Sequence, residues 1–287
     1  MKSFCDTEWL DFSYRSDWAI EPVFHSHIRY EVYYFYSGAC TYLIGDRIYN
    51  LSPGDLILMN GMTLHCAKID PDVPYVRSVI HFDPTSLQPY LALPHAVPFL
   101  QPFQQFANYR LSLQGNEKEE AEALLEKMYR HGTAGGEVGR SRMQLAFVDL
   151  LHFIYERCLQ PLQSLQTLPE LRSEKERTVQ RIVSYLEKRY AEDLHLEQLQ
   201  ADLHVSKFYL SRLFKEVTGV TIFDFVFQRR INQAKILFLL DPGISVTDVS
   251  LQTGFKHLAH FSRVFKSQVG MTPEKYRKQL RQESGIR

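Results

Sequence analysis

Three histidines and one glutamate in the first quarter of the chain have side chains that can bind a metal ion or a polar ligand. His25 and His27 are separated by one residue, Glu31 follows four residues later, and His65 comes after a Pro-Gly turn. Alternate side chains of a β-strand project to the same side, so both imidazoles of a His-x-His segment face together. Three histidines with a carboxylate suit a transition metal. The four residues are therefore a candidate metal or ligand site.

Two aromatic residues on the same predicted strand can add to this site. Tyr33 and Phe35 share the side of Glu31, because strand side chains alternate between two faces. Their rings are candidates for stacking on the apolar face of a small ligand. Packing in an ordinary protein core explains them equally well, so both interpretations stay open.

A second group of chemically useful residues lies in a segment that occurs twice. The segment YLSRLFKEVTGVT, from Tyr209 to Thr221, returns as HFSRVFKSQVGMT, from His260 to Thr272. Two copies indicate a duplicated supersecondary structure, whereas a solenoid needs more repeats. Six residues of the first copy recur 51 positions later. The identical pairs are Ser211 and Ser262, Arg212 and Arg263, Phe214 and Phe265, Lys215 and Lys266, Gly219 and Gly270, and Thr221 and Thr272.

Each copy is predicted to form a helix, a tight turn and a second helix, with Ser206 and Ser245 as possible helix caps. One face of the second helix is apolar and the opposite face is polar. Arginine can form two hydrogen bonds to guanine, and lysine can neutralise a phosphate. A solvated bundle face is the alternative for either copy alone, but the duplication favours DNA binding. The outward residues are Phe208, Ser211, Arg212 and Lys215, and in the second copy Ala259, Ser262, Arg263 and Lys266.

The segment between the two copies predicts a long connecting helix from Thr221 to Leu240. Such a helix is about 30 Å long. Successive major grooves on one face of DNA are about 34 Å apart. Two recognition helices joined by this connector can therefore enter adjacent grooves.

Charge is divided unequally along the 287 residues. Residues 1–174 contain 14 Lys and Arg against 21 Asp and Glu, whereas residues 175–287 contain 19 against 12. A basic segment on an acidic body indicates a polyanion partner for the basic part. Chance variation between two solvated surfaces is the alternative explanation.

The length of 287 residues suggests one large domain or two ordinary ones, and a hydrophobic content of 45% indicates a folded protein. We expect no membrane-spanning helix, because no uncharged apolar run is long enough. Acidic residues near the N-terminus argue against a secretory signal, so we expect a cytoplasmic protein. The four cysteines, at positions 5, 40, 66 and 158, have no CxxC spacing and are expected to be free thiols.

The chain divides into a β-rich part and a helical part. Turns at Ser37-Gly38, Gly45-Asp46 and Ser52-Pro53-Gly54 separate short strands, as in an antiparallel barrel or sandwich. Helices are predicted from residue 116 to 131 and from 140 to 159. The second is so apolar that we expect it to cover the barrel and form a subunit interface through Phe147 and Leu151. Residues 161–174 are the predicted linker.

The C-terminal segments resemble AraC/XylS-type transcriptional regulators. The similarity covers about residues 175–282, including GFKHLAHFSRVFKSQVGMTPEKYR (Gly254 to Arg277) and LEQLQADLHVSKFYLSRLFKEVTG. The resemblance implies that the second helix of each motif enters the major groove. This chain departs from the family at Leu258, which is apolar where a polar side chain would recognise a base better. The DNA contacts that the resemblance implies are Lys207, Phe208, Ser211, Arg212 and Lys215, and in the second motif Leu258, His260, Ser262, Arg263 and Lys266.

The N-terminal segment resembles the cupin pattern and the sugar-sensing domain that often precedes an AraC-type DNA-binding unit. The second cupin motif departs from the pattern, with Asn60 and Met62 where Pro and Gly are usual. Three interpretations remain: a ligand-sensing barrel, a barrel used only for dimerisation, and a metal-dependent cupin enzyme. We favour the sensor, with no cofactor or metal, because a regulatory domain explains the fusion.

The sequence thus predicts an α+β protein of two domains. Residues 1–160 form a cupin-like antiparallel β-barrel with covering helices, and residues 175–287 form an all-α unit with helix-turn-helix motifs at about 194–219 and 245–270. We expect a homodimeric, non-enzymatic transcription regulator that binds double-stranded DNA and a small effector, for which a carbohydrate is one candidate. The family resemblance further implies activation through RNA polymerase.

Overall fold

Within the residues that the structure describes, eight strands form two antiparallel sheets. This computed structural model describes residues 9–18, 20, 22–27, 29–106, 108–164 and 174–283. The larger sheet has the order β1-β7-β2-β5-β8, and the smaller has the order β4-β3-β6. The predicted turns separate β2 to β5, so these strands are confirmed. The strands are β1 (Leu10–Ser16), β2 (Tyr30–Ser37), β3 (Cys40–Ile44), β4 (Arg47–Asn50), β5 (Asp55–Met59), β6 (His65–Ile69), β7 (Val76–Phe82) and β8 (Asn108–Ser112).

Strand β2 lies in the middle of the larger sheet, and its side chains alternate between two cores. Tyr33 and Phe35 pack against the smaller sheet, in a core that includes Tyr42 of β3. Val32 and Tyr34 belong to the core on the opposite face of the same sheet. The predicted alternation along this strand is confirmed, and it places Tyr33 and Phe35 inside the barrel.

Helices cover the outer face of the larger sheet, as the sequence predicts. Helices α3 and α4 pack on each other, and α3 also packs on β1. Their apolar side chains join those of the sheet in one core. The helices of this half are α1 (Gln88–Leu91), α2 (Gln101–Phe106), α3 (Gly115–Ala134) and α4 (Gly136–Ser164).

The prediction that Phe147 and Leu151 lie in a subunit interface is wrong. Both side chains are fully buried in the core between α4 and the larger sheet. The ring of Phe147 lies with its centroid 5.0 Å from that of Phe82 and 6.3 Å from that of Trp9. The apolar face of this helix therefore has its partner inside the same domain.

The outer face of the smaller sheet carries the first helix-turn-helix motif. Leu43, Ile48 and Cys66 of this sheet share a core with Phe214 and Phe225 of the helical half. The predicted connector is confirmed as α8, in which Thr221 is the N-cap and 19 residues give a length of about 28 Å. The helices of this motif and the connector are α5 (Glu174–Arg189), α6 (Leu196–Leu203), α7 (Lys207–Thr218) and α8 (Ile222–Leu240).

The second helix-turn-helix motif packs on the far half of α8 and has a core of its own. Phe238 of α8 packs with Phe255, Phe261, Phe265 and Tyr276. No residue of the barrel belongs to this core in the described part of the chain. The helices here are α9 (Val246–Gln252), α10 (Leu258–Val269) and α11 (Pro273–Glu283).

The predicted linker falls only partly within the described residues. Residues 161–164 continue α4, and residues 165–173 lie outside the described ranges, as does Cys5. Cys40, Cys66 and Cys158 are buried free thiols, as predicted. Among the described helices, none is both long and apolar enough to cross a membrane.

Replacing Phe147 by alanine tests the assignment of this residue to the domain core. Because the ring is fully buried, the substitution Phe147→Ala should lower the free energy of unfolding by about 3–5 kcal/mol. Arg140→Ala, at an exposed position of the same helix, should change it by less than about 0.5 kcal/mol. Denaturant unfolding of the full chain measures both. Equal small changes would mean that Phe147 is not in the core.

Candidate functional site

The duplicated segments fold into two helix-turn-helix motifs of matching length. Helices α7 and α10 begin and end 51 positions apart, as the repeat in the sequence does. Ser206 and Ser245 cap α7 and α9 by accepting hydrogen bonds from backbone N–H groups, as predicted. Gly219 and Gly270 end α7 and α10 in the left-handed conformation that favours glycine. Local sequence signals therefore fix both ends of α7 and the C-terminal end of α10.

Helix α7 presents its predicted DNA-contacting residues on the side away from its core. Leu210, Leu213 and Phe214 are buried, whereas Phe208 is 80% exposed. Arg212 and Lys215 are exposed, and neither forms an ion pair with a described carboxylate. Ser211 is half-buried between them. Lys207 differs, since its Nζ lies 2.7 Å from the Glu197 Oε1 atom.

Helix α10 presents a similar but less uniform face. Leu258, Arg263 and Lys266 are exposed, and Ser262 is half-buried. His260 is half-buried because its ring packs edge-on against Phe227 and Phe255, with centroids 5.3 and 5.6 Å apart. Arg263 and Lys266 form no ion pair with a described carboxylate. The cations of this face are therefore available to an external anion.

A buried arginine joins the two motifs. Arg230 lies on α8, where its side chain donates hydrogen bonds to the carbonyl oxygens of Tyr190, Glu192 and Gly254 at 2.7, 2.8 and 2.6 Å. The first two residues follow α5, and Gly254 lies in the turn between α9 and α10. A planar guanidinium can hold several acceptors in a fixed geometry. Arg230 thus fixes the first motif relative to the second.

The N-terminal half contains a cavity of about 460 Å³ between the two sheets. Polar and aromatic side chains share its lining. Arg77 is buried, stacks on the ring of Trp18 and donates a hydrogen bond to the Trp18 carbonyl oxygen at 3.1 Å. The polar lining includes Asp11, His25, Glu31, Arg77 and His81, and the aromatic lining consists of Trp18, Tyr33 and Tyr42.

Glu31 is the centre of a histidine cluster at this cavity. Its Oε2 atom lies 3.1 Å from His27 Nε2, 3.5 Å from His65 Nε2 and 3.2 Å from His81 Nε2. His25 completes the cluster, with its ring centroid 4.2 Å from that of His65. The four predicted residues are thus brought together.

Burial and hydrogen bonding set the charges of this cluster. Burial would raise the pKa of Glu31, but hydrogen bonds from His27 and His81 hold it well below the usual range. Burial lowers the pKa of His65 to about 3. Burial also opposes protonation of His81, but its hydrogen bonds with Asp11 and Glu31 raise its pKa to about 9. At neutral pH Glu31 is therefore ionised, His81 protonated and His65 neutral.

His81 belongs to this site although the sequence does not single it out. It lies opposite Glu31 in the pairing of β7 with β2, and opposite Asp11 in the pairing of β7 with β1. The strand that contains His81 is predictable, but its register with β2 is not. Once the register is known, the row Asp11, His81 and Glu31 follows directly.

The two predicted aromatic ligand contacts lie in different places. Tyr33 lines the cavity, and its hydroxyl group hydrogen bonds to that of Tyr75. Phe35 is fully buried in the core of the barrel and is not part of the cavity lining. Tyr33 is therefore accessible to a ligand in the cavity, whereas Phe35 packs in the barrel core behind the cavity lining.

Known sequence families match both halves of the chain. Residues 12–144 match the AraC-like ligand binding domain, and residues 199–279 match a helix-turn-helix domain. An HTH-type transcriptional regulator of Bacillus subtilis, YbfI, is 30% identical over 237 residues, which are 82% of this chain and 80% of that protein. The chain therefore belongs to the AraC family of transcriptional regulators, and the predicted fold class is confirmed.

The chain matches two further relatives over different shares of their length. The transcriptional activator RhaR of Salmonella schwarzengrund is 24% identical over 88% of this chain and 86% of its own length. AdaA of Bacillus subtilis, a bifunctional transcriptional activator and DNA repair enzyme, is 30% identical over 36% of this chain. The chain spans only 48% of the length of AdaA.

Removal of the Arg230 side chain tests its role as a clamp. Arg230→Met leaves three carbonyl oxygens without their charged donor, so the free energy of unfolding should fall by about 3 kcal/mol or more. Arg177→Met is the control, since Arg177 makes only a surface ion pair with Glu174 and should cost less than about 1 kcal/mol. Denaturant unfolding measures both variants. Similar costs for the two would show that the clamp contributes little.

Proposed function

We propose that this protein is a transcription regulator whose two recognition helices bind adjacent major grooves of one DNA duplex. The observation that carries the proposal is that α7 and α10 each expose one arginine and one lysine at equivalent positions, and that α8 joins the two helices over about 28 Å. Arg212 and Arg263 are proposed to contact bases, and Lys215 and Lys266 to contact phosphates. Lys207, Phe208, Ser211, Leu258, His260 and Ser262 complete the proposed interface.

The proposed effector site is the cavity between the two sheets. Trp18, Tyr33 and Tyr42 offer flat apolar faces, and Asp11 and Arg77 offer charged groups. Such a lining suits a small molecule with an apolar face and several hydroxyl groups, so a carbohydrate is one candidate. A thermal-shift screen with sugars tests this, because a ligand of the folded state raises the melting temperature.

We further propose a homodimer formed through α4, by residues other than those predicted. Val138, Leu145 and Leu159 are exposed and separated by multiples of seven residues, with the exposed His152 at the remaining heptad position. Apolar side chains at heptad spacing form the seam of paired helices. A two-fold dimer would bury this stripe against its own copy.

The remaining proposals concern organisation and partners. We propose residues 1–160 as the sensing unit, 161–174 as the linker and 175–287 as the DNA-binding unit. The protein is proposed to act in the cytoplasm, without enzymatic activity, and to activate transcription with RNA polymerase. The regulators YbfI and RhaR, which match most of the chain, support this proposal over a metal-dependent enzyme.

Substitutions on α7 separate base recognition from phosphate binding. Arg212→Ala should cost about 1–3 kcal/mol on a duplex selected from a random pool by the full chain, and little on a scrambled duplex. Lys215→Ala should weaken both complexes almost equally and reduce the salt slope by about one. Fluorescence anisotropy titrations measure these values. Equal losses on both duplexes for Arg212→Ala would assign it to phosphate contact.

Charged substitutions on α4 test the proposed dimer. Leu145→Lys combined with Leu159→Lys places four like charges in a two-fold seam, so the variant should sediment as a folded monomer. Glu119→Lys, at an exposed position of α3, is the control and should leave the dimer intact. If the unmodified protein is a monomer at micromolar concentration, with and without DNA, the dimer proposal is wrong.

A further inference from the structure

The cavity between the two sheets contains a buried arginine that has no carboxylate partner among the described residues. Arg77 of β7 lines this cavity and is only 5% exposed. Its guanidinium donates a hydrogen bond to the Trp18 carbonyl oxygen at 3.1 Å, and its central carbon lies 4.9 and 4.8 Å from the ring centroids of Trp18 and Tyr75. A buried charge without an ion partner is costly, so this position favours an anion.

The guanidinium of Arg77 keeps most of its hydrogen-bonding capacity for a ligand. The group carries five N–H donors in one plane, and it uses one of them on the described part of the protein. The rings of Trp18 and Tyr75 hold the group by cation–π contact, but neither ring carries a negative charge. Two neighbouring N–H groups can donate side by side to the two oxygens of a carboxylate.

The two acidic residues that line the same cavity lie at its other end. Asp11 and Glu31 are both opposite His81 in the strand pairing, and His81 is four residues along β7 from Arg77. A strand rises about 3.3 Å per residue, so the two positions on β7 are about 13 Å apart. His81 Nδ1 lies 3.8 Å from Asp11 Oδ2, and His81 Nε2 lies 3.2 Å from Glu31 Oε2. The cavity therefore has a cationic end and a separate acidic end.

The lining between these ends is largely apolar. Val79 lies midway between Arg77 and His81 on the same side of β7, because strand side chains alternate. It is opposite Tyr33 of β2, and Ala67 also lines the cavity. The volume of about 460 Å³ is typical of a site for a small organic molecule. A ligand that follows β7 meets a cation first and then an apolar wall.

The strands on both sides of β7 change register beside Arg77. This residue is opposite Ser16 of β1 and Phe35 of β2. One register shift lies between Ser13 and Ser16, and the other lies between Phe35 and Ser37. Such bulges change the direction of side chains and are common beside functional sites. Their position supports a specific role for the Arg77 side chain.

We propose that the ligand of this cavity is a small organic carboxylate, which Arg77 binds through both oxygens while the apolar body of the ligand lies against Val79 and Tyr33. A neutral sugar would leave the Arg77 charge unpaired, and an inorganic anion would leave the apolar wall uncovered. The role of this acid as an effector rests on the proposed function, whereas carboxylate binding itself does not.

Matched pairs of acids and neutral molecules test this preference without DNA. Cyclohexanecarboxylate and cyclohexylmethanol share an apolar ring, and glucuronate and glucose share a sugar ring, so the pairs distinguish an apolar acid from a sugar acid. Ligand-observed NMR titrations of the full chain at constant ionic strength measure each dissociation constant. Cyclohexanecarboxylate should bind at least tenfold more tightly than its alcohol, because a charge-assisted pair is stronger than a neutral hydrogen bond.

Substitutions at Arg77 test whether this side chain causes the preference. In Arg77→Met the tenfold preference for the acid should fall below threefold. Arg77→Lys should retain part of it, because lysine keeps the charge but lacks the paired donors. Arg130→Met, at an exposed position of α3, is the control and should leave the preference unchanged. Circular dichroism melting checks that each variant is folded.

Two outcomes of these titrations would overturn the carboxylate site. One is that neither acid binds the unmodified protein more tightly than its neutral partner does. The other is a preference that persists unchanged in folded Arg77→Met, because another group would then bind the anion. A preference that appears only in the glucuronate pair and is lost in Arg77→Met would support the site with a sugar acid as its ligand.

The role of the acid as an effector is measured separately. The affinity for a duplex selected by the full chain should change about fivefold or more when cyclohexanecarboxylate saturates the protein. A protein that binds the acid with unchanged DNA affinity would overturn the effector role but keep the carboxylate site. A protein that binds the acid but no DNA would overturn the proposed function. A protein that binds DNA but neither acid would overturn the carboxylate site alone.

Discussion

The alternation of side chains along β2 is the constraint on which the N-terminal domain depends. Because β2 lies in the middle of the larger sheet, each of its residues must enter one of two cores. Val32 and Tyr34 anchor the covering helices, while Tyr33 and Phe35 fill the barrel. Glu31 lies on the barrel side by the same rule, and it is the acceptor around which the histidines gather. A shift of one residue in register would exchange the two sets and remove both the core and the site.

Much of the DNA-binding unit is predictable because its signals are local. A serine cap, an apolar face and a terminal glycine define α7, and the repeated apolar face and terminal glycine define α10. The length of α8 also follows from the sequence, since Thr221 caps it and its apolar residues continue to Leu240. The clamp made by Arg230 is not predictable in this way. Its acceptors are backbone carbonyls from two distant turns, which any residue type could supply.

The N-terminal site is predictable only in part, because its geometry comes from pairing between strands. The histidines and Glu31 are recognisable from their spacing, but His81 enters through the register of β7 with β2. The apolar surface of α4 is equally ambiguous. A helix with many apolar residues can pack on its own sheet or on another subunit, and the sequence does not distinguish these partners. Phe147 and Leu151 pack inside the domain, so only a narrow stripe of α4 is exposed.

The two motifs arose as copies but differ in what lies behind them. The first motif shares its apolar core with the smaller sheet, whereas among the described residues the apolar core of the second motif is shared only with α8 and α11. Cooperative unfolding follows shared cores, since residues in one core lose their partners together. The barrel and the first motif should therefore open as a single unit with slow amide hydrogen exchange. The second motif has a separate apolar core, so we expect it to open at a lower free energy than the barrel, once the Arg230–Gly254 hydrogen bond and the Lys256–Asp193 ion pair are broken.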